Sequence, residues 1–263
     1  MAILNIETAT TVCSVCLSDE GRSLFERTSF DGLSHASMLG VFVDDAVKAA
    51  RELGLKMEAI AISSGPGSYT GLRIGVSMAK GICFGWNVPL ISISTLELIA
   101  YKAIQLVSGD GKMMMQTAQP DAGGDAKMQQ AAQPDAGRDA LFCAMLDARR
   151  MEVFTALYDG SLQIVRDTEA VIVMADFHAS CLEKRRIYFF GNGADKCKNL
   201  IQSPNAVFLD DIHPLASDMA ILSEQAYRAK RFEDVAYFEP FYLKDFVATI
   251  PKNKILPKKD EIS

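Results

Sequence analysis

The stretch Ser63-Ser64-Gly65-Pro66-Gly67-Ser68-Tyr69-Thr70-Gly71-Leu72-Arg73-Ile74-Gly75 constrains this chain more than any other. An apolar run, Ala59-Ile60-Ala61-Ile62, leads into it and is short and β-branched enough for a buried strand. Behind it, Val76 to Gly85 keeps helical spacing. The pattern predicts a strand, a glycine-rich turn and a helix start. Gly65 and Gly67 can take φ > 0, where other residues are strained. Ser68 or Thr70 can cap the helix by accepting a bond from its free N–H groups.

A helix N-terminus of this kind can hold an anion, because its N–H donors and the positive end of its dipole point outward. That makes Gly65 and Gly67 candidate anion-binding residues. The spelling departs from both common cradles. A phosphate-binding P-loop has Lys directly after its last Gly, whereas Leu72 follows Gly71 here. A dinucleotide fingerprint spaces its second and third Gly by two residues, whereas three separate Gly67 from Gly71. A tight structural turn is the competing reading.

On a 3.6-residue wheel, Gly71, Gly75 and Ala79 line one edge of the helix, and Ser77, Gly81 and Gly85 a neighbouring one. Arg73 and Lys80 share a different side. Each interior Gly costs about 1 kcal/mol of helix stability relative to Ala. Repeating that cost calls for close approach of another backbone, and the expectation is a helix built to be packed by another chain.

The 263 residues suffice for one large or two small domains with a real core. Nearly half are apolar and under a quarter charged. A net charge of −6 argues against broad nucleic-acid binding by the chain alone, while leaving room for a local basic patch. No apolar run approaches the ~20 residues that cross a bilayer, and the N-terminus lacks a basic signal head. A cytoplasmic protein with no membrane contact is expected. The six cysteines read as reduced core residues. Cys13 and Cys16 lie in a strand-like run where residues three apart face opposite ways, which argues against a metal pair.

Taken in order, strands are expected at 2–8, 12–18 and 22–29, with Asp19-Glu20-Gly21 as a hairpin turn. Residues 34–53 form an amphipathic helix with Ser34 as N-cap, Gly54 as stop, and a stripe of Leu39, Phe42, Ala46, Ala49 and Leu53. A strand at 88–93 and a helix at 95–107 follow. Ala118 to Ala126 then recurs as Ala132 to Ala140, in a stretch poor in large apolar residues, so about 108–140 reads as an inserted loop. Strands at 141–146, 151–158 and 162–168 lead to a helix at 175–182 and a strand at 187–190. The turn Gly191-Asn192-Gly193-Ala194 leads to a helix from Asp195, then a strand at 206–209 and a helix at 216–230. This is an α/β chain with mixed sheets flanked by helices. The lysines of the tail, Lys252, Lys254, Lys258 and Lys259, read as a solvated end. No nucleophile elbow is present, and the three histidines, His35, His178 and His213, form no triad pattern, so peptidase activity is not indicated.

Four ordered segments together resemble the TsaB (YeaZ) family, which is related to the glycoprotease-like proteins: Ile3 to Thr10, Ser63 to Gly75, Asp147 to Phe154 and Glu239 to Lys244. The match covers most of the chain apart from about 108–140. It implies a two-lobed actin/hexokinase-like ATPase fold. The first lobe would be 1–100 plus about 210–230, the second 101–209, and 231–263 a C-terminal segment and tail. Glu7 stands where the family usually has Asp. With Thr8, Gly65, Gly67, Gly191 and Gly193 it makes a candidate nucleotide or anion site. Catalytic relatives carry two His four apart to grip a metal; here these positions are His35 and Leu39, so no metal site and no catalytic residues are expected.

The resemblance further implies a non-catalytic partner of a TsaD-like transferase and a TsaE-like ATPase. Together these move a threonylcarbamoyl group onto N6 of adenosine 37 of tRNA. It implies no cofactor of the chain's own, ATP/ADP and a divalent metal on the partner subunits, a homodimer in isolation, and tRNA reached through the complex. The partner face would comprise His35, Leu39, Phe42, Ala46, Gly71, Arg73, Gly75, Ala79 and Lys80. Gly75→Leu or Ala79→Leu would then block the complex and spare the fold. Two other classes stay open: a small ATPase or kinase using Glu7, Thr8 and Gly191 to Ala194, and a plain homodimeric scaffold.

Overall fold

The computed structural model describes residues 1–32, 35–109 and 139–243. The expected cap at Ser34, most of the repeated insertion and the lysine-rich tail lie outside the described residues.

Two five-stranded sheets carry the chain. In the first, β1 (Ala2–Glu7), β2 (Cys13–Asp19) and β3 (Arg22–Ser29) form an antiparallel meander. β4 (Met57–Gly65) pairs parallel with β1, and β5 (Leu90–Ser94) parallel with β4, giving the order β3-β2-β1-β4-β5. The second sheet repeats this plan. β6 (Leu141–Asp147), β7 (Glu152–Asp159) and β8 (Ile164–Ile172) form the meander. β9 (Ile187–Phe190) and β10 (Ala206–Leu209) extend it in parallel from β6, in the order β10-β9-β6-β7-β8. The two sheets thus share one strand plan, in keeping with the mixed-sheet α/β fold expected from the sequence.

Every residue of β1 is buried, because helices cover both faces of its sheet. On one face Leu4 and Ile6 pack under α1 (His35–Glu52) and α2 (Tyr69–Trp86), meeting Leu39, Phe42, Ala46, Val76 and Ala79. On the other, Ile3, Ala59, Ala61 and Ile91 meet α5 (Ala220–Arg228) through Leu222 and Ala226. Helix α3 (Thr95–Ser108) gives Leu98 to that second cluster. It turns Leu96, Ile99, Ala100 and Ala103 to the second sheet, against Phe142, Ala144 and Phe190. Cys13 and Cys16 face opposite ways, and all six cysteines are free thiols. Burial pushes Cys13 up to about 11 and Cys16 to about 12, as expected of inert core thiols.

Several elements are shorter than their pattern predicts. The helix expected over 175–182 is only α4 (Ala179–Leu182), because His178 sits at φ +58°, outside the helical well. From Asp195 there is a single 3-10 turn, Asp195–Cys197, and another, Ser217–Met219, precedes α5. In α1 the buried stripe takes in Val43 and Ala50, while Leu53 lies beyond the helix end and is 55% exposed. Among the described residues no helix is long and apolar enough to cross a membrane.

Candidate functional site: the face of α1 and α2

The glycine-rich turn forms as its spelling predicts. Ser68 is the N-cap of α2, and its hydroxyl accepts the Gly71 N–H at 3.3 Å. Gly65 takes φ +105°, a conformation that favours glycine. What fills the turn argues against the anion reading. The Ala9 carbonyl oxygen occupies the place a Cβ would need at Gly67, and accepts the Ser68 N–H at 2.6 Å. The Phe241 carbonyl oxygen lies 2.8 Å from where a Gly65 Cβ would sit, and the Phe241 N–H donates to the Ser64 carbonyl at 2.7 Å. The Leu72 N–H is spent on the Ser68 carbonyl. An anion here would meet carbonyl oxygens, which repel it, and the Ser68, Gly71 and Leu72 N–H groups are already in use.

The remaining nucleotide candidates follow the same rule. Glu7 is wholly buried, and its Oε1 accepts the Ala9 N–H at 2.5 Å. Burial pushes its carboxyl up to about 7 against the lowering effect of that N–H and of Ser63. Thr8 is buried beneath α2. Gly191 and Gly193 stand on the other sheet, pressed onto the backbone of Met145 to Asp147 at the end of β6. Glu7, Thr8, Gly65 and Gly67 are thus brought together, and Gly191 and Gly193 are not part of that group. All four glycines serve close packing of this chain on itself. No cluster of three metal-binding side chains occurs among the described residues.

The predicted partner face also needs correction. A Cβ at Gly71 would fall on the Thr8 carbonyl oxygen, and one at Gly75 on Thr8 Oγ1 and within 3.0 Å of Ile62. Ala79 is fully buried. The backbone that approaches this edge is the chain's own first strand end. Gly75→Leu and Ala79→Leu would therefore break the core rather than spare the fold. Leu39, Phe42 and Ala46 face the same core. His35 is buried, with Nε2 3.1 Å from the Val12 carbonyl, and fastens α1 to the start of β2.

Arg73 and Lys80 are held by a C-terminal strap running over 233–243. Lys80 Nζ donates to the Ala236 and Phe238 carbonyls at 3.0 and 3.1 Å. Arg73 Nε donates to Tyr242 Oη at 3.3 Å, and its guanidinium lies 4.5 Å from the Tyr69 ring centre, which itself packs on Tyr242. Ser92 Oγ donates to Glu233 Oε1, and the Glu233 N–H to the Leu90 carbonyl, anchoring the other end.

What stays open is the neighbouring edge. Ser77, Gly81 and Gly85 line an open groove of about 810 Å³ with Ala36, Ile74, Met78, Ile82 and Trp86. Nothing lies within 4 Å of a Cβ at Gly81 or Gly85. Phe84 is 88% exposed at the helix end. The i, i+4, i+8 spacing of Ile74, Met78 and Ile82 was legible in the sequence, but the side on which it would lie was not.

Comparison with known proteins adds an independent line. The family model described as TsaD: tRNA N6-adenosine threonylcarbamoyltransferase matches residues 32–117, a span holding α1, α2 and α3. The chain is 28% identical to the tRNA threonylcarbamoyladenosine biosynthesis protein TsaB of Escherichia coli (strain K12), over 99% of this chain and 100% of that one. It is 26% identical to the TsaB of Bacillus subtilis (strain 168), over 93% and 94% of the two chains. Its fold is similar to that of YeaZ from Pseudomonas aeruginosa, with a TM-score of 0.68 and 23% identity over 92% of this chain and 99% of that one.

Proposed function

We propose that this chain, similar to TsaB proteins over nearly its full length, is a TsaB (YeaZ) family member that serves tRNA threonylcarbamoyladenosine biosynthesis as a non-catalytic subunit. It pairs with a TsaD-like transferase through the open edge of α2 and the adjoining start of α1. The observation that carries this is the state of Gly81 and Gly85. Each weakens its helix, and neither is needed for packing within the chain. Glycines without an internal use are explained by close approach of an outside backbone, and an apolar groove beside them supplies burial. The transferase family model spans the same helices, which supports a partner that presents a similar pair. Alone, the chain would self-associate through this face.

On this reading ATP/ADP and a divalent metal belong to the transferase and to a TsaE-like ATPase, the work takes place in the cytoplasm, and tRNA is engaged by the assembly. The test is formation of threonylcarbamoyladenosine on tRNA in a reconstituted mixture. Product should be lost when this chain is omitted, and none should form with this chain alone. Undiminished product without it would overturn the proposal.

A further inference from the structure

The β6–β7 hairpin turn, outside the α1–α2 face, holds two arginines that the fold itself does not use. Arg149 and Arg150 take φ +72° and +52°, a region arginine adopts reluctantly. The turn is closed by the Glu152 N–H on the Arg149 carbonyl, so Arg150 fills its first central position, where turns with positive φ use Gly, Asn or Asp. The neighbouring loop holds this geometry from beneath. Lys196 Nζ pairs with Asp147 and donates to the carbonyls of Arg150 and Glu152 at 2.8 and 2.6 Å. Asp147 Oδ1 accepts the Arg149 N–H at 3.1 Å, and Asn192 Oδ1 accepts the Asp147 N–H at 2.9 Å. Asp147 is thereby neutralised, whereas both arginines are exposed and, among the described residues, neither guanidinium meets a carboxylate.

We infer that this turn is the chain's own contact to RNA, with the two guanidinium groups gripping successive backbone phosphates. A planar guanidinium matches a phosphate bidentately, and phosphate contacts position a nucleic acid without reading its sequence. Holding the pair on a braced turn removes the backbone share of the ordering cost that a flexible loop would carry. The two charges are local, which is compatible with a net charge of −6. The inference rests on the tRNA pathway reading given above.

The test is binding of tRNA to the assembled complex of full chain and transferase, followed by fluorescence anisotropy over a series of salt concentrations. The double variant Arg149→Gln/Arg150→Gln should bind about tenfold more weakly at low salt. Its plot of log affinity against log salt should be shallower by about 1 to 2, the contribution of one or two phosphates. Arg149→Lys/Arg150→Lys should recover most of the slope. Wild-type affinity and slope in the Gln variant would overturn the inference alone. So would loss of ADP binding with tRNA binding kept, which assigns the pair to a free nucleotide, or loss of transferase association, which assigns it to an acidic protein surface. A wild-type complex that neither binds nor modifies tRNA would overturn the pathway reading, and this inference with it.

Discussion

Helix α2 carries glycines on two edges, and the structure gives those edges opposite senses. At Gly71 an added methyl meets the Thr8 carbonyl oxygen, and at Gly75 it meets Thr8 Oγ1 and Ile62. Thr8 is fully buried and cannot move outward. Overpacking of this kind costs roughly 1–3 kcal/mol, more than the up to about 1 kcal/mol that Ala gains over Gly in a helix. Gly71→Ala and Gly75→Ala should therefore destabilise by about 1–2 kcal/mol. At Gly81 and Gly85 the methyl meets nothing within 4 Å, so only the propensity gain remains. Gly81→Ala should stabilise the isolated chain by about 0.5–1 kcal/mol. Thermal unfolding at concentrations low enough to keep the chain monomeric separates the cases, since 1 kcal/mol moves Tm by about 2–4 °C in a chain of this size. Gly81→Ala should unfold higher than wild type and Gly75→Ala lower. The reverse order would refute the assignment of inner and outer edges.

Two buried titrating groups make the pH dependence of stability specific. Glu7 is raised from 4.5 to about 7 by burial, so its contribution is full below pH 4.5 and is lost as pH rises through 7. His178 is lowered from 6.5 to about 4, chiefly by burial and then by Arg166, so its contribution is full above pH 6.5 and is lost as pH falls through 4. Between about pH 4.5 and 6.5 the two slopes oppose each other. Glu7→Gln should remove one arm and leave stability rising with pH by at most ~3 kcal/mol, whereas His178→Leu should leave it falling; urea unfolding across that window reads both. Parallel profiles in all three proteins would contradict the burial argument. Lys80→Met should free the strap, with hydrogen exchange at the Phe238 and Phe241 amides about tenfold faster, because both carbonyl anchors on Lys80 are lost. Exchange unchanged by the substitution would place the strap's hold elsewhere.

Much of the fold was legible because it is encoded locally. Apolar runs bounded by Asp-Glu-Gly and by the glycine turns mark strands, and the caps at Ser68 and Ser94 mark the starts of α2 and α3. Four features were not legible, each for a physical reason. The wheel of α2 shows two small-residue edges, but which one faces Thr8 depends on how β1 ends. The sequence alone assigns Lys80 to the partner face because its own partners lie 156 and 158 residues away in a strap with no periodic pattern. The glycine turns looked like anion cradles because a sequence shows donors at a helix start and not the carbonyls that reach them, here from Ala9 and Phe241. The helix expected over 175–182 was overread because apolar spacing carries no warning of the left-handed residue at His178.

The most direct measurement is the affinity of this chain for the transferase, by calorimetric titration, with Gly81→Leu compared with wild type. An added Cβ at Gly81 meets nothing within 4 Å, so the side chain projects from the open edge toward the groove without displacing the core. Binding at least tenfold weaker, about 1.4 kcal/mol, with the Tm of the dilute, monomeric chain equal to or above wild type, is the predicted result. Wild-type affinity in the Gly81→Leu chain would contradict the open edge of α2 as the partner-binding surface.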